Sequence, residues 1–281
     1  MKLIDTVPYF LNNYEPSISF LKKYYSQYST SFEEYFAYHC KDTEERHLQS
    51  IRKYPSSLPV ITEVHRNIKP VIKKVTEKYK VVYDIEFPNN VNLIVGGFSS
   101  NAFTHRQVIP DVTFSLEKLS PNPEHLHVIV AHEFGHAAHN ILTDTTDINW
   151  NQMRWENALL SLYREGAATY FSKRIVPNLN SSIYFSYNDE GEEWMEFCKK
   201  DEKKIIAAFL DDYSKLSSED MYKEWFSING GTHFGFNRLA YYIGYIFFET
   251  QVNEWGEMNA ILAWKNSDFI ETIHSWLQSN G

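Results

Sequence analysis

The stretch that most limits what this chain can become is VIVAHEFGHAAHNIL, residues 128–142. Its apolar length belongs inside a protein, yet it carries His132, Glu133, His136 and His139. A polar entry over residues 120–124, with Pro123 at the first turn, predicts a helix that starts near Pro123 and is buried on most faces. Polar groups buried there need partners. Residues four apart on a helix lie one turn apart on one face, so His132 and His136 can aim ring nitrogens at a single point. Glu133 is rotated by about 100° and can reach a water at that point instead. This is the H-E-x-x-H spacing of a zinc-binding helix with an adjacent base. The competing reading is a pair of hydrogen-bonded core histidines, which leaves Glu133 without a purpose.

Two histidines make a weak site, because a hydrolytic zinc takes three protein ligands and leaves the fourth position to water. Three sources of a third ligand can be weighed. An extended H-E-x-x-H-x-x-G-x-x-H motif would need glycine at 139 and histidine at 142, where the chain has His139 and Leu142. His139 itself points about 60° off the line of the pair. Glu165, in LYREGAATYF, lies 29 positions beyond His136, a spacing that suits an antiparallel helix returning across a short connection. Its neighbours Gly166, Ala167 and Ala168 would let helices approach closely, and a carboxylate on such a face needs a partner or a metal.

Composition narrows the function further. A formal charge of −9, without a Lys/Arg cluster, argues against nucleic acid as a partner. No stretch approaches the roughly 18 apolar residues of a membrane span, and the opening MKLIDTVPYFLNNYEP lacks a signal-like apolar core, so no membrane association and a cytoplasmic location are expected. Cys40 and Cys198 stand far apart outside any metal spacing and are expected to be free thiols.

Along the chain, residues 1–78 read as a helical N-terminal segment. One helix opens at Ser31, and Pro70 is expected to kink or end a second. From Tyr79, alternation and β-branched enrichment in YKVVYDIEF, VNLIVGGF, NAFTHRQVI and DVTFSLEKL predict three or four strands of one small sheet. Residues 79–145 therefore hold the sheet and the histidine helix. Residues 146–281 form a helical lobe, with a helix from about Met153 to Ile175 and a loop over 228–237. The expectation is an α+β, mostly helical protein of one unit over 1–281, its two lobes flanking a cleft.

His132, Glu133 and His136 together with EGAA at 165–168 resemble the gluzincins, the thermolysin-like group of zinc metallopeptidases. The resemblance covers roughly residues 79–175. It implies a zincin-like fold, zinc held by His132, His136 and Glu165, and hydrolysis of peptide or protein substrates through a zinc-bound water with Glu133 as general base. It also implies that an extended substrate pairs with the last strand before the helix. Two departures stand out. Thr169 occupies the position where thermolysin-like members often carry an acid, and the glycine-rich Glu-Asn motif of the aminopeptidase members is missing.

The opposite lobe of such enzymes supplies a donor to the oxyanion. His233 in NGGTHFGF and the tyrosines 241, 242 and 245 of RLAYYIGYIFF are the candidates, with His233 and Tyr242 taken first. Arg238 shares a helical face with Tyr242 and Tyr245 and is expected to pair with a local acid. The alternative function is a non-hydrolytic zinc protein, a sensor or interaction module, although coordination alone has no use for Glu133.

Overall fold

A computed structural model describes residues 1–281, and the chain divides into two compact units, residues 1–137 and 138–281. It is mostly helical with one four-stranded mixed sheet, an α+β arrangement. No helix is long and apolar enough to cross a membrane. Both cysteines are free and buried.

The first unit contains β1 (Lys2–Asp5), α1 (Val7–Asn13), α2 (Ile18–Gln27), α3 (Ser29–Glu34) and a π-helical turn at Tyr35–His39. There follow α4 (Glu44–Tyr83), β2 (Asn90–Ile94), β3 (Ala102–Thr104) and β4 (Val112–Ser115). Helix α5 (Pro123–Asp144) begins in this unit, and the division falls inside it. The sheet runs β1-β2-β4-β3, with β1, β2 and β4 parallel and β3 antiparallel to β4. Edge strand β3 registers Ala102 on Phe114 and Thr104 on Val112.

Two sequence expectations are corrected here. YKVVYDIEF is not a strand: α4 continues through Tyr83 and ends where Asp84 turns left-handed at φ 55°. Its place in the sheet is taken by the N-terminal Lys2–Asp5, which the helical reading of residues 1–78 missed. The local β preference of Val81 and Val82 yields because Tyr79 and Val75, about one and two turns earlier, are buried in the core on a helical face, and Val81 itself is exposed. The short β1 is held from outside its own sequence. The Thr6 hydroxyl donates to the Leu93 carbonyl, and Asp5 faces His65 at 2.8 Å and Lys69 at 2.6 Å on α4.

Nor does Pro70 end its helix. Helix α4 spans 40 residues with Pro55, Pro59 and Pro70 inside it. Each internal proline costs about 3 kcal/mol. Against that, Ile61, Val64, Ile68, Val71, Ile72, Val75 and Tyr79 are buried at three- and four-residue spacing, each contributing about 1.5–3 kcal/mol. The inward face outweighs the missing backbone bonds. Ser31 does not open one long helix either, since the chain breaks at Cys40 and restarts where the Thr43 hydroxyl accepts from the Arg46 amide.

The second unit holds the end of α5, then α6 (Ala158–Ile175), α7 (Ile183–Ser186), α8 (Glu192–Lys200), α9 (Glu202–Lys215) and α10 (Ser218–Trp225). It closes with α11 (Leu239–Trp255), α12 (Glu257–Ile261) and α13 (Phe269–Asn280). Helix α6 starts at Ala158 rather than near Met153, because the Asn157 side chain accepts from the Leu159 amide and caps it. A loop separates α10 from α11, as the glycines of INGGTHFGFN indicated, with Gly231 and Gly235 at positive φ.

Candidate metal centre

Helix α5 starts at Pro123 as its sequence indicates. It is fixed from α4 one residue before the first histidine, where the Tyr79 hydroxyl donates to the Ala131 carbonyl at 2.7 Å. Phe134 packs edge-on against Phe87, with ring centroids 4.7 Å apart. His132, Glu133 and His136 are all buried. The two imidazoles stand nearly perpendicular, 5.0 Å between centroids.

Glu165 rides on α6, and α6 is held by α11 through bare backbone. A methyl built on Gly166 would lie 2.0 Å from the Gly244 carbonyl oxygen, and one on Gly244 would lie 2.0 Å from the Leu162 carbonyl oxygen. No side chain larger than hydrogen fits at either position. The small residues after Glu165 thus serve a helix contact, as the sequence suggested, and the helix they admit is α11.

One potential ligand atom each from His132, His136 and Glu165 lies within 4.8 Å of the others. Ligands of a tetrahedral zinc sit roughly 3.4 Å apart, and a group within 4.8 Å is one that could hold a metal ion. Two imidazoles and a carboxylate are also a donor set that zinc accepts, with a fourth position left for water. His139 is elsewhere engaged, as its angular offset indicated. Its Nε2 donates to the Ile261 carbonyl at 2.8 Å and its ring stacks on Trp264 at 4.1 Å.

The candidate donors separate on their contacts. The Tyr242 hydroxyl donates to Glu202 at 2.7 Å. His233 is exposed, with Nδ1 3.5 Å from Asp212 and its amide donating to Glu224. Tyr245 donates to Glu249 and accepts from Lys173. Tyr241 is the one that feels the Glu165 charge. Burial, then Glu165, then the neighbouring Tyr187 and Tyr222 push its pKa well above the usual tyrosine value, so the hydroxyl keeps its proton. The sequence named Tyr241 among four candidates but had no means of ranking it, since adjacent helix positions differ by a rotation that only packing fixes.

Arg238 does not pair with an acid as expected. It donates to the Phe185 carbonyl at 2.7 Å and lies over the rings of Tyr187 and Tyr241. A second arginine went unremarked in the sequence. Arg164, immediately before Glu165, lies 5.1 Å over the Trp155 ring, and its Nε is sealed from solvent without an acceptor. A sealed donor of this kind costs about 1–3 kcal/mol. Burial draws the Arg164 pKa down, with Glu165 opposing.

No protein-family model matches the chain, and no curated protein or solved structure matches it significantly. The functional reading therefore rests on the residues themselves.

Other residues resolve more simply. His125 is buried and bonded to Ser120 at 2.8 Å, at the entry to α5, and His105 is bonded to Thr113 at the same distance. The acidic run at 188–193 leads into α8, whose first turn carries Glu192 and Glu193 where the dipole favours negative charge.

Proposed function

We propose that this chain is a zinc-dependent metallopeptidase of the gluzincin type, with His132, His136 and Glu165 holding the metal. The observation that carries the reading is the approach of those three side chains to within 4.8 Å, with Glu133 in the same helical turn as the first histidine. When bound, zinc would polarise the scissile carbonyl and lower the pKa of a coordinated water. Glu133, next to His132 but turned about 100° from it, accepts a proton from the attacking water at a carboxylate oxygen and returns it to the leaving amine. Tyr241 donates its phenolic proton as a hydrogen bond to the carbonyl oxygen as charge develops there. Edge strand β3, hydrogen-bonded to β4 along one side, offers its other side to an extended peptide.

Glu133 favours hydrolysis over a purely structural or sensing zinc site. Ligation needs three side chains, and Glu133, in the same turn as His132, adds a carboxylate of the kind a hydrolytic centre uses as its base.

The test is metal content and cleavage measured together on protein purified without chelators or nickel resin. Wild type should hold about one zinc per chain and cleave members of a peptide library. Glu133→Gln should keep the zinc and lose cleavage, whereas Glu165→Ala should lose most of both. Wild type that takes up no zinc at neutral pH would return the three residues to the role of buried polar neighbours. Full-rate cleavage by Glu133→Gln would overturn the mechanism.

A further inference from the structure

Arg164 is a half-buried cation whose Nε no acceptor on the protein satisfies. Its Nε is buried without an acceptor, its guanidinium lies 5.1 Å over the Trp155 ring, and it feels the charge of Glu165 next to it. Solvent is shut out from Nε, while the residue as a whole is half-buried. A guanidinium is planar and offers its outer N–H groups as a fork that matches a carboxylate. The Trp155 ring, itself stacked on Trp150 at 5.8 Å, supports the cation and supplies no acceptor. In folded proteins buried donors are paired, and a donor group left over beside a candidate reaction centre calls for a ligand.

The surroundings agree. The charge of Tyr222 bears on both Arg164 and Tyr241, and Tyr222 is 61% exposed. Glu165 is the carboxylate whose charge favours the Arg164 cation. Committed to a metal, it would leave Arg164 with a charge that an incoming anion can balance.

We infer that Arg164 is a substrate-binding residue that receives a carboxylate of the peptide, one residue along the helix from Glu165. This rests on the metallopeptidase reading and narrows its substrate class to peptides with a carboxylate close to the scissile bond. The two sources of such a carboxylate are the C-terminus and an Asp or Glu side chain. A C-terminal carboxylate necessarily lies on the leaving-group side, so cleavage would release a short C-terminal fragment.

Binding is measured by titration calorimetry on zinc-loaded Glu133→Gln protein, where hydrolysis does not interfere. The probes are acetyl-Ala-Ala-Ala as free acid, the same peptide as C-terminal amide, and acetyl-Ala-Glu-Ala as amide. The free acid should bind about tenfold to a hundredfold more tightly than its amide, the range expected for a charged hydrogen bond. The gap should collapse when Arg164→Gln is added and recover in part with Arg164→Lys, which restores charge without the fork. Tight binding of the Glu-containing amide would support the subsite and assign it to an acidic side chain.

Equal binding of all three probes overturns the inference, and so does a gap that survives Arg164→Gln. If Arg164→Gln does not fold, Arg164→Lys and the acid-to-amide ratio without any Arg164 change carry the same decision. Failure of the underlying reading looks different: wild type would cleave no peptide, yet the acid-to-amide gap and its dependence on Arg164 would remain.

Discussion

Gly166 and Gly244 bring α6 and α11 into backbone contact, a Cβ on the first lying 2.0 Å from the carbonyl oxygen of the second. This contact sets the height and rotation of α6, and so fixes where Glu165 stands. It equally fixes Tyr241, which lies one helical turn before Gly244.

Gly166→Ala is therefore expected to be among the most damaging single-methyl additions in the protein. Backbone cannot move aside as a flexible side chain can, so the cost should be about 3 kcal/mol or more. Urea denaturation monitored by circular dichroism measures it. Ala167→Gly, at the next position on the same helix, serves as the comparison and should cost about 1 kcal/mol from helix propensity, with the loss of one buried methyl added.

Zinc is expected to stabilise the folded chain, because the three ligands come together only in the fold. With free metal at about a thousand times its dissociation constant, the gain is about 4 kcal/mol. Thermal unfolding of wild type with and without a chelator should differ by several degrees, and Glu165→Ala should show almost no difference. Equal chelator sensitivity in the two proteins would argue that Glu165 is not a ligand.

Tyr241 and Tyr242 should behave oppositely. Tyr241→Phe is expected to lower kcat about a hundredfold with little change in KM, the pattern for loss of a donor used in the transition state. Tyr242→Phe should cost about 1 kcal/mol of stability through the lost bond to Glu202 and leave kcat near wild type.

Glu117 gives the first unit a pH dependence. Burial pushes its carboxyl up to about 7, against the amides of Gly96 and Phe98 that donate to it. Because the folded value is raised, its stabilising contribution is complete below the unfolded value near 4.5 and is lost as pH rises through about 7. At about 1.4 kcal/mol per unit, the loss amounts to a few kcal/mol. His39 works in the opposite sense, since burial lowers it to about 4 and its contribution grows as pH rises toward 6.5. The difference between wild type and Glu117→Gln isolates the effect: wild type should lose urea stability relative to the variant between pH 5 and pH 8. A constant difference across that range would show that Glu117 stays ionised in the fold.

Much of the candidate site was legible in the chain because it is local. The H-E-x-x-H spacing fixes His132, Glu133 and His136 relative to one another by helix geometry alone. Glu165 could be anticipated because small residues beside a carboxylate on an apolar helix are informative. Arg164, one position away, was passed over, since arginine is ordinary on a helix surface and the sequence cannot say that its Nε is sealed without an acceptor. In the fold, the strands of VNLIVGGF, NAFTHRQVI and DVTFSLEKL were found where their alternation indicated, with shorter bounds.

The sequence by itself determined the elements whose signals are short-range: the start of α5 at Pro123, the glycine loop before α11, and the turn of α5 that carries two histidines and an acid. It took the tertiary structure to make Lys2–Asp5 a strand, to carry α4 through three prolines to Tyr83, and to put Tyr241 rather than Tyr242 under the influence of the Glu165 charge. Each of those outcomes depends on a partner far away in the chain: β2 for β1, the core for α4, and α6 for α11. Local preference is worth a fraction of a kcal/mol per residue, whereas burying one large apolar side chain contributes about 1.5–3 kcal/mol, so where the two conflict the distant partner prevails.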